Sequence, residues 1–305
     1  MKSKILNLYK SKLLKGISLI EVLISTVIFV IVVSISINVY LAVKQHYQAN
    51  KDRLNNEVKE LAVKNIFYNT IKNIGFGCNY GTGHQDQSDV TGDSLDDFHL
   101  DPDTLRIGNL PLTSGSSFPA ELESDCKDNC YQANTDYVMI KRESTHTNLV
   151  NNNNSNTLML GSIDSFATGD YLLLCNANNI NIAKIAGLNE STNSVNLSLA
   201  PVGVYYSGDY VGRYSLEVLY VADTGDLDTD GNKIYGLYIY IRDSETDDQV
   251  YELIVGVENL KIQYTTTNNG AWSTLVGSKD IDGSYKALKI SFDIDGEAYS
   301  KVVVL

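Results

Sequence analysis

The sequence predicts an α+β chain in which one long N-terminal helix precedes antiparallel β-structure. Three observations predict it. No glycine stands between Gly16 and Gly75, and no proline before Pro102, so nothing forces a break in a helix over that stretch. Short β-branched and aromatic runs bounded by turn residues then recur from Tyr137 to the C-terminus. Between the two, residues 79–136 are rich in Gly, Asp, Ser, Asn and Pro and read as irregular loop, with a weak strand at Thr104–Ile107.

The first helical half is apolar. Ile17–Val43 is a 27-residue stretch whose only charged residue is Glu21. As a helix it would extend about 40 Å, more than the roughly 30 Å apolar core of a bilayer. Lys2, Lys4, Lys10, Lys12 and Lys15 precede it with no acid among them, which places residues 1–16 on the cytoplasmic side and exports the chain beyond Val43. A cleavable secretory signal fits poorly, because its apolar region is about half as long and a small-residue cleavage site should come after it. A plain signal anchor leaves Glu21 unexplained, since a carboxylate in an apolar helix costs about 2.5–3.5 kcal/mol at mid-bilayer.

Residues 44–77 continue the helix amphipathically. Leu54, Val58 and Leu61, then Val63, Phe67, Ile71 and Ile74, follow helical spacing and are expected to face the chain's own domain. Lys51, Asp52, Arg53, Asn55, Asn56, Lys59, Glu60 and Lys64 supply the polar face, and Gly75-Phe76-Gly77 ends the helix. Strands are expected at Tyr137–Lys141, Thr157–Leu160, Tyr171–Cys175, Ile180–Ile185, Val195–Leu199 and Arg213–Val221. Five more are expected at Ile234–Arg242, Gln249–Val255, Leu260–Thr265, Ala287–Asp293 and Ala298–Val304.

Lys15-Gly16-Ile17-Ser18-Leu19-Ile20-Glu21-Val22 resembles the class III signal of type IV prepilins: a basic leader, Gly at the cut, an apolar first mature residue and Glu at mature position five. The resemblance implies cleavage by prepilin peptidase between Gly16 and Ile17, N-methylation of Ile17, and an assembly role for Glu21. The family more often carries Phe where this chain has Ile17. Four patches in the body resemble the PilW-like minor pilins in family order: Asn73–Cys78, Thr135–Arg142, Gly169–Cys175 and Leu253–Tyr264. This resemblance implies a pilin-like α+β fold with a leader at 1–16, a transmembrane or filament-core helix at 17–43, an amphipathic continuation at 44–77 and an extracytoplasmic β-rich body at 78–305.

The function so implied is that of a minor pilin that initiates or caps a type IV pilus for motility, adhesion or DNA uptake. Its partners would be prepilin peptidase, other minor pilins and the major pilin. It would sit in the inner membrane with a periplasmic body before reaching the pilus at the cell surface. The alternatives are a J-type minor pseudopilin of type II secretion and a tip-exposed adhesive module.

The four cysteines, Cys78, Cys126, Cys130 and Cys175, all lie beyond the apolar segment, and an even count in an oxidising compartment reads as two disulfides. Three pairings are open. The expected one joins Cys126 to Cys130 in a small loop and Cys78 to Cys175 across the helix end and the sheet. Asp226-Leu227-Asp228-Thr229-Asp230-Gly231 has the alternating carboxylates of a calcium loop, with Asp223 as an additional candidate ligand. Leu237 stands where an EF-hand needs its bidentate Glu, and a hydrophilic hairpin is the competing reading. No other cofactor is expected.

Beyond residue 16 the chain holds 19 lysines and arginines against 37 acids, which argues against broad nucleic-acid binding. No zinc-protease, nucleophile-elbow, Walker A or dinucleotide motif occurs, so an enzyme is not expected. His84 and His99, among many aspartates, are expected in a solvated acidic loop.

Overall fold

The computed structural model describes residues 19–78, 85–93, 95, 97–100, 103–111, 130–152, 155–244, 249–268 and 270–305. Within these, side chains are described except at Glu21, His46, Gln48, Ala49, Asp52, Asp97 and Leu100. Gly16, Ile17 and Cys126 lie outside the described residues.

One helix, α1 (Leu19–Lys72), runs for 54 residues, as the missing breakers predict. Lys72 in its last turn complements the helix dipole. The chain then leaves the helix through Gly75, whose φ of 96° only glycine adopts without strain. By packing, the chain divides into two compact units, one ending at Glu57 and the other Val58–Leu305. The first is helical throughout its described part. The second holds the last turns of α1 and every strand.

In chain order the strands are β1 (Asp86–Val90), β2 (Leu105–Asn109), β3 (Asp136–Asn148), β4 (Thr157–Met159), β5 (Tyr171–Cys175), β6 (Asn179–Asn189), β7 (Ser194–Leu197) and β8 (Tyr210–Leu227). They continue with β9 (Lys233–Arg242), β10 (Gln249–Val255), β11 (Val257–Thr265), β12 (Ser273–Thr274), β13 (Lys279–Asp280), β14 (Ala287–Ile294) and β15 (Glu297–Val304). Among the described residues they form an eleven-stranded sheet, with path β13-β2-β3-β8-β5-β6-β7-β4, and a four-stranded sheet, β12-β11-β14-β15.

The 18-residue β8 organises the larger sheet. Along one edge it pairs with β3, from Val138 opposite Leu219 to Asn148 opposite Tyr210. Its other edge is shared: Tyr210–Arg213 pair with β5, and Leu216 onward pairs with β9. The sheet therefore forks at β8.

Alternation along the strands builds cores on both faces. Val138 and Ile140 of β3, with Leu219 and Val221 of β8, face one core. Val63, Phe67 and Ile71 of α1 and Leu288, Ile290, Phe292 and Ile294 of β14 complete it, so helix and both sheets share one apolar interior. Tyr137 and Met139, with Leu216, Val218 and Tyr220, face the opposite core, where Tyr171, Tyr214, Tyr238 and Tyr240 also pack. A third cluster lies under β5, β6 and β7 and includes Leu172, Leu174, Val195 and Tyr205.

Three expectations change. Val58 and Leu61 do not pack on the domain: they are 63% and 62% exposed, because Phe67 and Ile71 turn the other side of the helix inward. Leu54 is exposed as well. The 79–136 region is not wholly irregular, since β1 pairs with β6 from Asp86 opposite Asn179 to Val90 opposite Ala183, and it does so in parallel. In β1 only Val90 is fully buried, so this strand is made by backbone pairing without an apolar pattern in the sequence. Finally, β12 and β13, two residues each, were too short to expect.

Candidate functional site

The most distinctive chemical surface is the apolar part of α1. Val22–Gln45 is a 24-residue span of mean hydropathy 2.7 with none of it buried, long and apolar enough to cross a membrane. Its hydroxyls suit such a setting. Thr26 Oγ1 donates to the Leu23 carbonyl at 2.8 Å, Ser34 Oγ to Val30 at 2.8 Å and Ser36 Oγ to Val32 at 2.7 Å. These three hydroxyls are thus satisfied within the helix, as a hydrocarbon environment demands. The backbone of Glu21 lies in the helix, just before this span.

The helix end is fastened to the body at three levels. Gly75 N–H donates to the Lys141 carbonyl at 3.0 Å, and Gly75 forms a parallel bridge with Arg142 in β3. At Gly77 an added Cβ would lie 2.8 Å from Glu143 Oε1 and 3.0 Å from the Tyr210 hydroxyl, so the chain approaches β3 and β8 as closely as glycine allows. Cys78 then joins Cys175 of β5 in a disulfide, with Cα atoms 5.9 Å apart and a sequence separation of 97. Both cysteines are buried. This is the expected pairing for these two. Cys130 is also disulfide-bonded.

The candidate calcium residues lie in the β8–β9 hairpin, and the structure does not bring them together as a metal site. Asp228 is occupied by the turn itself. Its Oδ1 accepts the N–H groups of Asp230 and Asn232 at 2.8 Å, and its Oδ2 accepts the Asn232 amide at 2.9 Å. These bonds, the Asn232 side chain first, hold its pKa below the ordinary value. Asp223 pairs instead with Lys233 at 2.6 Å. Asp226 and Asp230 are exposed. Among the described residues no group of three His, Cys, Asp or Glu side chains could hold a metal ion.

Two polar constellations escaped the sequence reading. His99 is buried rather than solvated, in a 3₁₀ turn at Asp97–Leu100 lying on the tyrosine-rich face. Its Nδ1 meets the Tyr214 hydroxyl at 2.7 Å. Burial drives its pKa down to about 3, with Arg242 and Lys141 adding to the shift. Beside it the fully buried Lys141 donates to the Phe98 carbonyl at 2.9 Å, and the Lys141 ammonium and Arg106 guanidinium lie 4.7 and 4.5 Å from the centroid of the Phe98 ring. The turn is thereby held to the sheet by charge as well as packing.

On the other face, past the apolar core, runs a line of ions. Arg142 contacts Glu217 at 2.6 Å, and Arg213 lies between Asp170 at 3.0 Å and Asp243 at 3.1 Å. Burial raises the pKa of Glu217 against the pull of Arg142. Its signal in the sequence was charge within strand-like runs, which alone does not say which residues meet.

No protein family model and no curated protein matches this chain.

Proposed function

We propose that the protein is a PilW-like minor pilin, cleaved after Gly16 by prepilin peptidase and assembled through α1 with partner pilins at a type IV pilus tip. The observation that carries this reading is a single helix that begins as an exposed apolar span and ends packed into a β-rich domain. The second apolar face, at Val58 and Leu61, adds to it: an exposed aliphatic pair on a helix whose other face is already buried suits a neighbouring subunit. The basic leader and Glu21 supply the processing and assembly signals that such a subunit needs.

In assembly, the new amine at Ile17 and the Glu21 carboxylate of neighbouring subunits would neutralise each other within an apolar core. The β-domain then stays outside the membrane and is exposed at the tip. Co-expression with a prepilin peptidase tests this reading: intact mass should show residues 1–16 removed, and Gly16→Leu should block the removal. An assembled protein that retains residues 1–16 overturns it. In a strain carrying only the variant, Glu21→Val should leave cleavage intact and abolish co-purification with partner pilins.

A further inference from the structure

The end of the apolar span carries a second pattern. Tyr40, Lys44, Tyr47 and Lys51 are all exposed on α1. At about 100° per residue they fall within an arc of about 60°, on one side of the helix, over about 17 Å of its length. Lys44 is the first lysine or arginine after Lys15, and no acid occurs between Glu21 and Asp52. Arg53, by contrast, is already paired with Glu57 at 3.2 Å. The apolar span ends at Gln45, so Tyr40 and Tyr47 bracket the level at which hydrocarbon would give way to headgroups.

We infer that Tyr40, Lys44, Tyr47 and Lys51 form a docking stripe for the phosphate headgroups of anionic phospholipids in the leaflet at the C-terminal end of the span. The inference rests on the reading that this span crosses a membrane. Tyrosine suits the place because its ring remains in the acyl boundary while its hydroxyl reaches the headgroups. Lysine suits it because its stem lies along apolar surface and its ammonium meets phosphate. The four-residue and seven-residue spacings let both lysines address the same headgroup layer from one side, Lys44 from within the last turn of the span and Lys51 from beyond it. The stripe would fix the depth and rotation of the helix before assembly. It is continuous with the apolar span, and its charge is complementary to the lipid.

The full chain, reconstituted in vesicles, tests this. Trp272 is the sole tryptophan, so Trp272→Phe provides a silent background. In it, Tyr47→Trp reports on the stripe and Ile31→Trp on the span. Vesicles of phosphatidylcholine alone are compared with vesicles containing about 30 mole per cent phosphatidylglycerol, in which each lysine should favour the surface by about fivefold. Phosphatidylglycerol should lower acrylamide quenching of the Tyr47→Trp indole, and Lys44→Glu with Lys51→Glu should remove that effect while Lys44→Arg with Lys51→Arg keeps it. An indole equally protected in both vesicles and indifferent to charge reversal overturns the lipid stripe and points to cover by protein. If the Ile31→Trp indole is open to acrylamide, the membrane span itself fails, and the stripe with it.

Discussion

The carboxylate of Asp136, in β3 of the large sheet, accepts the backbone N–H of Ile262, in β11 of the small one, at 2.6 Å. Its other oxygen accepts the Asn109 amide at 2.6 Å. One buried side chain therefore satisfies a donor in each sheet, close to a register shift in β11 between Glu258 and Lys261. Burial raises its pKa despite those two bonds. A folded-state pKa above 3.8 means that the proton is held more tightly in the folded chain. The associated stability is complete below pH 3.8 and is lost as pH rises through the folded value.

Asp136→Ala should cost about 2–4 kcal/mol at neutral pH, because it orphans the buried Ile262 N–H and removes the acceptor of the half-buried Asn109 amide. Asp136→Asn, which keeps an acceptor and removes the ionisation, should cost less. Urea unfolding of the three proteins on both sides of the transition checks the order. The gap between wild type and Asp136→Asn should move in favour of wild type on acidification.

His99 titrates in the opposite sense. The unfolded imidazole takes up a proton near pH 6.5, whereas the folded one resists until about pH 3. Stability is therefore present above 6.5 and falls with acid, by about 1.4 kcal/mol per pH unit within that window. His99→Gln should remove this contribution, so the stability difference between variant and wild type should change by about 2 kcal/mol between about pH 7 and about pH 5. Denaturant titrations at the two values measure it, and an unchanged difference would falsify the assignment.

The two faces of α1 should separate fold from assembly. Phe67 is fully buried, and Phe67→Ala should destabilise the body by about 3–5 kcal/mol. Leu61→Asp lies on the exposed face and should leave the thermal midpoint within a few degrees of wild type. If the proposed role holds, Leu61→Asp nevertheless loses partner pilins in a pull-down. A well-folded variant that still captures them removes the exposed face from the assembly argument.

Replacing Cys78 and Cys175 together by serine should cost about 4–5 kcal/mol in the chain-entropy model, since the bond spans a sequence separation of 97. Replacing Cys126 and Cys130 should cost less, because they stand so close together in sequence. Non-reducing denaturant curves of the two double variants test the ranking.

Much of the fold was legible because its determinants are local. The absence of Gly and Pro gave the helix, and runs such as Tyr171–Cys175 and Gln249–Val255 gave strands at their observed bounds. What stayed hidden depends on partners distant in sequence. Val58 and Leu61, three residues apart, fit a helical period as well as Phe67 and Ile71, four apart, and periodicity cannot tell which of two apolar faces a sheet will cover. Nor could composition place His99 in a core, since its burial depends on Tyr214 and Lys141 arriving from other strands. The Cys78–Cys175 link was readable because the helix-end turn and a strand flank the two cysteines. At the Asp226–Asp230 motif the turn itself uses the carboxylate of Asp228, a contact that residue spacing does not reveal.

The disulfide also decides how the body carries force. A pull delivered along the last turns of α1 reaches Cys78 and passes through a covalent bond to Cys175, at the end of β5. From there it enters the sheet along both edges of β5, through β8 at Tyr210–Arg213 and through β6 at Ile180–Lys184. β1, β2, β3 and β4 all lie within the loop that this bond closes between the two cysteines. A load on the helix is thereby divided between the two ladders of β5 and the hydrogen bond from Gly75 to β3.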